Sequence, residues 1–302
     1  MPLFMVSSAY NDPHGQRAKV YKVHRLALND KIPNIIRTVL IPPMSMKIAC
    51  WNVNSLKVRL PHVLQWLQTS EVDVLCLQET KLTDDKFPVA EIQAAGYQVE
   101  FNGQKTYNGV AILSRYPITD VVKNNPLFED EQQRLLTVTI QGMRIICAYI
   151  PNGQDPQSDK FQYKLNWLNG LQSWLTEQQK TYPELALLGD FNIAPEDRDV
   201  HDPAAWVGQN LVSPQERAAF QAMLALPLVD AYRLFEQAEK TFSWWDYRAL
   251  GFRLNKGMRI DHILLSADLA KRCQSCAIDR APRKWEQPSD HAPVIATIAT
   301  LS

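Results

Sequence analysis

Leu135-Leu136-Thr137-Val138-Thr139-Ile140-Gln141-Gly142-Met143-Arg144-Ile145-Ile146-Cys147-Ala148-Tyr149 is the stretch on which the fold turns. Two apolar, β-branched runs, 135–140 and 143–149, flank Gln141-Gly142, a two-residue connection with the glycine that a tight antiparallel turn favours. Helical periodicity follows at 159–180, with Phe161, Leu165, Leu168 and Leu175 on one face and Ser158 or Asp159 placed to cap the start. Another apolar strand, 184–189, comes next. A hairpin followed by a helical crossover argues against a purely parallel doubly wound sheet and for mixed sheets covered by helices, an α/β class.

Working outward, apolar strand patterns recur upstream at 47–52, 72–77 and 109–114, and downstream at 259–265 and 293–299. Residues 214–225 form a further helix, opened by Ser213-Pro214-Gln215-Glu216: an N-cap, a proline at the first helical position and a capping-box glutamate. No linker or low-complexity stretch divides 46–302. Residues 1–45 differ: they lack sustained periodicity and end at the breaker Ile41-Pro42-Pro43. The strand pattern of Met46-Lys47-Ile48-Ala49-Cys50-Trp51-Asn52 then begins abruptly. The expected organisation is a basic, poorly ordered and dispensable extension over 1–45, with no secretory h-region, and a folded domain over 46–302.

Composition narrows the class. The 302 residues carry 32 Lys+Arg and 32 Asp+Glu, with 46% hydrophobic and 21% charged residues, as in soluble globular proteins. No apolar run reaches the roughly 18–20 residues of a membrane span, so no membrane partner is expected. The zero net charge hides an asymmetry. Residues 1–45 carry six bases against two acids, which leaves 26 bases and 30 acids for the remainder. A polyanion partner would therefore be held by local basic clusters around an acidic centre. Five cysteines, an odd count, argue against a disulfide framework and for a cytoplasmic, reducing setting. Cys50, Cys76 and Cys147 read as small buried hydrophobes, and Cys273-x-x-Cys276 lacks the second pair a zinc site needs.

Polar groups gather at strand ends, where α/β proteins assemble ligand sites. Asn52 and Asn54 follow the first strand, Gln78-Glu79-Thr80 the second, and Tyr149 ends 143–149. Gly189-Asp190-Phe191-Asn192 ends 184–189, Asp261 lies in 259–265, and Ser289-Asp290-His291 precedes the last strand. Taken singly, each reads as a turn or cap residue, and Tyr149 as a buried tyrosine. Together they form the inventory of a hard divalent cation beside a phosphate: few carboxylates, several amides, one histidine and one tyrosine. A zinc hydrolase would want more His or Cys. No G-x-x-x-x-G-K-[ST] loop and no G-x-S-x-G elbow is present. Metal-assisted phosphodiester cleavage is the chemistry that fits.

Trp51-Asn52-Val53-Asn54-Ser55-Leu56, Leu77-Gln78-Glu79-Thr80-Lys81, Gly189-Asp190-Phe191-Asn192-Ile193-Ala194-Pro195, Trp245-Asp246-Tyr247-Arg248, Arg259-Ile260-Asp261 and Ser289-Asp290-His291-Ala292-Pro293-Val294 occur in one order. In these blocks the chain resembles the bacterial exonuclease III and abasic-site endonuclease family, from about Met46 to the C-terminus. The resemblance implies a four-layer α/β sandwich of two packed mixed β-sheets flanked by helices. It implies a DNA repair nuclease using Mg²⁺, with Mn²⁺ as a substitute, that joins 3′→5′ exonuclease and abasic-site endonuclease activities. The implied substrate is double-stranded DNA with abasic sites or recessed 3′ ends, and the implied state a monomer.

The same resemblance distributes roles. Glu79 is the principal Mg²⁺ carboxylate, with Asn54 and Asp290 near the ion and Asn52 orienting the group. Asp190, helped by Asn192, is the general base or positions the attacking water. His291 faces a phosphate oxygen, with Asp261 on its other nitrogen, and Tyr149 lies close to the same phosphate. Whether Tyr149 or Asp190 takes the water's proton stays open. Lys105, Arg248, Arg253 and Lys256 are loop cations suited to phosphates. Trp244 and Met258 occupy positions that in this family line a pocket for a base-free sugar, while core packing is the ordinary reading for one of Trp244 and Trp245. The rivals are a superfamily phosphatase or phosphodiesterase on a small phosphoester, which need not keep Trp-Asp-Tyr-Arg, and a non-catalytic DNA-binding relative.

Overall fold

The computed structural model describes residues 5–11, 17–23 and 45–300, and the chain divides into two compact units, 1–42 and 43–302. In the first, β1 (Met5–Asn11) and β2 (Arg17–Val23) pair antiparallel, from Met5 opposite Val23 to Asn11 opposite Arg17. Sequence periodicity had indicated no strands there. The remainder of the expected 1–45 extension, residues 1–4, 12–16 and 24–44, lies outside the described residues.

The second unit opens with β3 (Ser45–Asn52), α1 (Leu56–Ser70), β4 (Val74–Gln78), α2 (Val89–Ala94), β5 (Gln98–Asn102) and β6 (Val110–Ser114). It continues through β7 (Thr119–Lys123), β8 (Leu135–Ile140), β9 (Met143–Tyr149), α3 (Asp159–Thr181) and β10 (Leu185–Asp190). Then come α4 (Pro203–Trp206), α5 (Pro214–Leu224), β11 (Leu228–Asp230), β12 (Trp244–Trp245) and β13 (Gly257–Met258). β14 (Asp261–Ser266), α6 (Ala267–Arg272), β15 (Cys273–Ile278) and β16 (Val294–Ala299) complete it.

Twelve of these strands build two six-stranded sheets, ordered β15-β16-β3-β4-β6-β5 and β11-β14-β10-β9-β8-β7. Each sheet has one parallel pair, β3 with β4 and β9 with β10, among antiparallel neighbours, so both are mixed. The expected hairpin is β8–β9, closed at Ile140 opposite Met143, with Gln141 and Gly142 both at positive φ. That is the conformation a two-residue hairpin turn demands.

Alternation along the strands makes the layers. On β3, Ile48 and Cys50 enter the core between the sheets, while Ala49 and Trp51 join Val63, Trp66 and Leu67 of α1 on the outer side. On β10, Ala186 and Leu188 face inward, and Leu185 and Leu187 pack with Leu168, Leu171 and Leu175 of α3. Helices thus cover both outer faces of the sheet pair, the four-layer sandwich. Buried on both faces, these strands carry nearly continuous apolar runs. Cys50, Cys76, Cys147 and Cys276 sit in the inter-sheet core as free thiols. Ser158 caps α3 by accepting from Phe161 N at 3.2 Å, and Ser213 with Glu216 forms the expected capping box on α5.

Candidate active site

Both sheets deliver polar residues to the same end. β10 lies between β9 and β14, so Asp190 is flanked in register by Tyr149 on one side and Asp261 on the other. Gly189 makes this approach possible. With φ +151°, a Cβ there would lie 1.8 Å from the Ala148 carbonyl oxygen, so any larger residue would push β10 off β9. From the other sheet, Asn52 ends β3 and bridges the layers. Its Nδ2 donates to Glu79 Oε1 (2.7 Å) and to Asp190 Oδ2 (2.9 Å), and its Oδ1 accepts from Asn54 N (2.9 Å). Both ends of its amide are thus in use, tying Glu79 and Asp190 together across the two sheets.

The two Glu79 oxygens are held differently. Oε1 also accepts from Tyr149 Oη (3.0 Å), whereas Oε2 lies 2.9 Å from Lys81 Nζ. That ammonium also donates to Asn54 Oδ1 (2.6 Å), so the Asn54 and Glu79 oxygens already converge on one positive charge. Asn54, Ser55, Glu79, Lys81 and Asn192 all have left-handed φ without being glycine. Such conformations cost about 1–3 kcal/mol each and are held where the surroundings over-determine them, commonly at functional sites.

His291 is buried between two acids. Nδ1 lies 2.9 Å from Asp261 Oδ2, and Nε2 lies 3.7 Å from Asp190 Oδ2. Burial opposes its charge, but Asp261 and Asp190 outweigh that and push its pKa up to about 10. Burial pushes Asp190 up to about 7 against the opposite pull of His291. Burial, with the neighbouring Glu79 and Asp190 charges, raises the Tyr149 phenol well above its ordinary value, so it stays protonated and donates to Glu79. Ligand atoms of Glu79, Asp190 and His291 lie within 4.8 Å of one another, a group able to hold a metal ion.

Over residues 49–291 the chain matches the model of the endonuclease/exonuclease/phosphatase family. It is 35% identical over 265 residues to exodeoxyribonuclease III of Haemophilus influenzae, covering 83% of this chain and 99% of that protein. It belongs to the endonuclease/exonuclease/phosphatase family. The fold is also that of NExo from Neisseria, solved as a 3′-5′ exonuclease and as a 3′ phosphatase bound to a product DNA hairpin. The likeness has TM-score 0.83 and 43% identity, over 84% of this chain and all of that one. An AP endonuclease from Archaeoglobus fulgidus matches with TM-score 0.81 and 38% identity, over 84% of this chain and all of that one. Within the family this chain is an exonuclease III-like DNA repair nuclease, which sets aside the non-catalytic rival.

The other expected family positions divide into those at the site and those beside it. Asn192 N donates to Asp190 Oδ1 (2.9 Å), while its side chain is held by Asn152 and by the Ile150 carbonyl, so it fixes the Asp190 loop. Asp290 stands at the rim. Its Oδ1 accepts from Asn54 Nδ2 (3.0 Å) and its Oδ2 from Trp244 Nε1 (3.1 Å). Trp245 is the core residue of the tryptophan pair, fully buried. Met258 pairs with Trp244 in register, yet it too is fully buried, packed with Ala194, Val200, Leu211 and Val212 against which Trp244 leans. Lys105, Arg253 and Lys256 are exposed, and Arg248 is paired with Asp246, which reduces its appeal as a phosphate contact. Lys105 lies in a loop whose Asn108 and Gly109 carbonyls accept from Lys81 N and Thr80 N, which anchors it beside Glu79.

Two site residues had no assigned role in the sequence. One is Lys81, described above. The other is Ser243, whose buried hydroxyl donates to Asp261 Oδ2 (2.6 Å) and accepts from Ile260 N and Asp261 N (3.1 Å each). It aims Asp261 at His291. Nothing local marks that serine, because its partner lies 18 residues away.

Proposed function

We propose that this nuclease hydrolyses phosphodiesters of duplex DNA with Mg²⁺, or Mn²⁺ in its place, at recessed 3′ ends and at abasic sites. The observation that carries this reading is the convergence of Glu79, Asp190 and His291 beside oxygens of Asn54 and Glu79 that already share the Lys81 ammonium. Carboxylates and amide oxygens are the donor set of a hard, oxygen-seeking cation. Glu79 would hold the ion, with Asn54 and Asp290 beside it. When bound, the ion neutralises charge on the phosphate and on the departing 3′ oxygen.

The chain's own groups do the rest. Asn192 and Asn52 each fix one Asp190 oxygen, so that the carboxylate edge facing His291 receives the proton of the attacking water. The 3.7 Å between Asp190 and His291 Nε2 leaves the imidazolium free to donate to a non-bridging phosphate oxygen, while Asp261 fixes Nδ1. Tyr149 keeps its proton, since its hydroxyl is already spent on Glu79. That favours Asp190 over Tyr149 as the proton acceptor. The cysteines that remain free thiols support a reducing, cytoplasmic setting.

A second reading, removal of a 3′-terminal phosphate, is favoured by the likeness to NExo, solved as a 3′ phosphatase bound to product DNA, and by the full burial of Met258, one of the two residues expected to line a sugar pocket. The test compares Trp244→Ala with the parent on three duplexes: an internal abasic analogue, a recessed undamaged 3′ end and a 3′-phosphate end. Losing a rigid wall of an abasic pocket costs about 1–3 kcal/mol, or roughly ten- to a hundredfold, on the abasic duplex beyond the loss common to all three that follows from releasing Asp290. Equal losses on all three would remove the pocket. Parent activity confined to the 3′-phosphate end would give the second reading preference.

A further inference from the structure

The roles above leave Arg59 unused, although it touches more of the site's framework than any one of them requires. We infer that Arg59 is a positioning residue: its guanidinium staples the turns that carry Asn54, Tyr247 and Asp290 into one frame. The inference deepens, and rests on, the reading of this site as a cation-dependent phosphodiesterase.

Arg59 stands in the first turns of α1, half-buried. Nη1 donates to the Asn54 carbonyl (2.5 Å), Nε to Gln287 O (3.2 Å), and Nη2 to Pro288 O (3.1 Å) and Tyr247 Oη (3.2 Å). Tyr247 Oη in turn donates to Pro288 O (2.8 Å), closing the ring of contacts. Three segments far apart in sequence are thereby joined through one planar fork, a geometry that a lysine ammonium cannot reproduce. Each segment bears on the site. The Asn54 turn supplies the oxygen that shares Lys81 with Glu79, and its amide donates to Asp290. The 287–288 turn leads into Asp290 and His291. Tyr247 follows Trp244, whose indole also holds Asp290. Asn54 and Gln287 both have left-handed φ, so both turns are conformations that need outside support. All four oxygens are neutral, and none of these contacts cancels the guanidinium charge.

That uncancelled charge allows a different role, a direct grip on a phosphate, which the experiment separates from positioning. Arg59→Lys keeps the charge and loses the fork, Arg59→Met loses both, and Tyr247→Phe removes one contact of the ring. Two quantities are measured: Mn²⁺ affinity of the DNA-free protein by electron paramagnetic resonance, and kcat and KM on an abasic-analogue duplex at saturating Mn²⁺. Positioning predicts that both Arg59 variants lower kcat roughly ten- to a hundredfold, with KM nearly unchanged. Both also weaken Mn²⁺ binding. Tyr247→Phe gives a smaller loss of the same kind and adds little to Arg59→Met, the non-additivity of residues acting through one network. A loss confined to KM that deepens with salt, tighter Mn²⁺ binding in Arg59→Met, or parent-like kcat in both Arg59 variants would each overturn the inference. Should the Arg59 variants fail to fold, Tyr247→Phe decides it by the same split. If the parent itself binds no Mn²⁺, the cation reading fails on the parent alone, and the kcat effects still judge Arg59.

Discussion

Glu79 shows how much one side chain is asked to do. Asn52 and Tyr149 fix Oε1, which turns Oε2 toward Asn54 and the Lys81 ammonium. Glu79→Gln keeps the shape and removes the charge on which cation binding chiefly depends. Its turnover is expected to fall on the order of a hundredfold or more, partly restored by raised Mg²⁺, with an unchanged melting temperature. Near-parental turnover at low Mg²⁺ would remove Glu79 from the metal role. Glu79, Asp190, Asp261 and His291 stand out in the sequence because each is a polar residue within or next to an apolar strand pattern. Lys81, Ser243 and Arg59 do not. Such lysines, serines and arginines are ordinary surface residues, and it takes partners 18 (Ser243), 27 (Lys81) and up to 229 (Arg59) positions away to complete their tasks.

At the scale of elements, α3 and α5 are joined by a buried ion pair that helical periodicity does not indicate. Lys164 and Glu216 are both fully buried and hydrogen-bonded to each other. Lys164 Nζ also donates to the carbonyls of Asn192 (2.7 Å) and Asn152 (3.2 Å), and Glu216 accepts from Leu211 N (2.9 Å) and Ser213 Oγ (2.6 Å). The pair therefore ties two helices to the loop behind Asp190. Lys164→Met strands a buried carboxylate, so urea unfolding is expected to show a loss of about 3–5 kcal/mol. Adding Glu216→Gln should recover part of it. A loss below about 1 kcal/mol in the single variant would mean that Glu216 takes up a proton or finds water instead. The strands that periodicity did not indicate are mostly short or at sheet edges: β5, β7, β11 and β15. An edge strand is covered on fewer sides, so its sequence, such as Gln98-Val99-Glu100-Phe101-Asn102, need not alternate cleanly.

For the whole molecule, the second unit contains both sheets, the covering helices and every residue assigned to the site. We propose that it folds and turns over without the first. A chain shortened to begin at Pro43 is expected to melt within a few degrees of the full chain and to keep its activity. A collapse in melting temperature would show that residues 1–42 contribute to the fold. Weaker DNA binding with a changed salt slope would instead give the basic segment a share in gripping phosphates. Across this scale the sequence alone determined the alternation of strands and helices, the hairpin at Gln141-Gly142 and the family motifs. All of these are set by contacts or periodicities within a few residues. Only the tertiary structure decided which sheet faces which, that Asn52 of one sheet reaches Asp190 of the other, and that Arg59 and Ser243 serve the site. Those facts depend on how two separately patterned sheets pack, and the side chains that register the packing need only be polar and of the right length where distant segments meet.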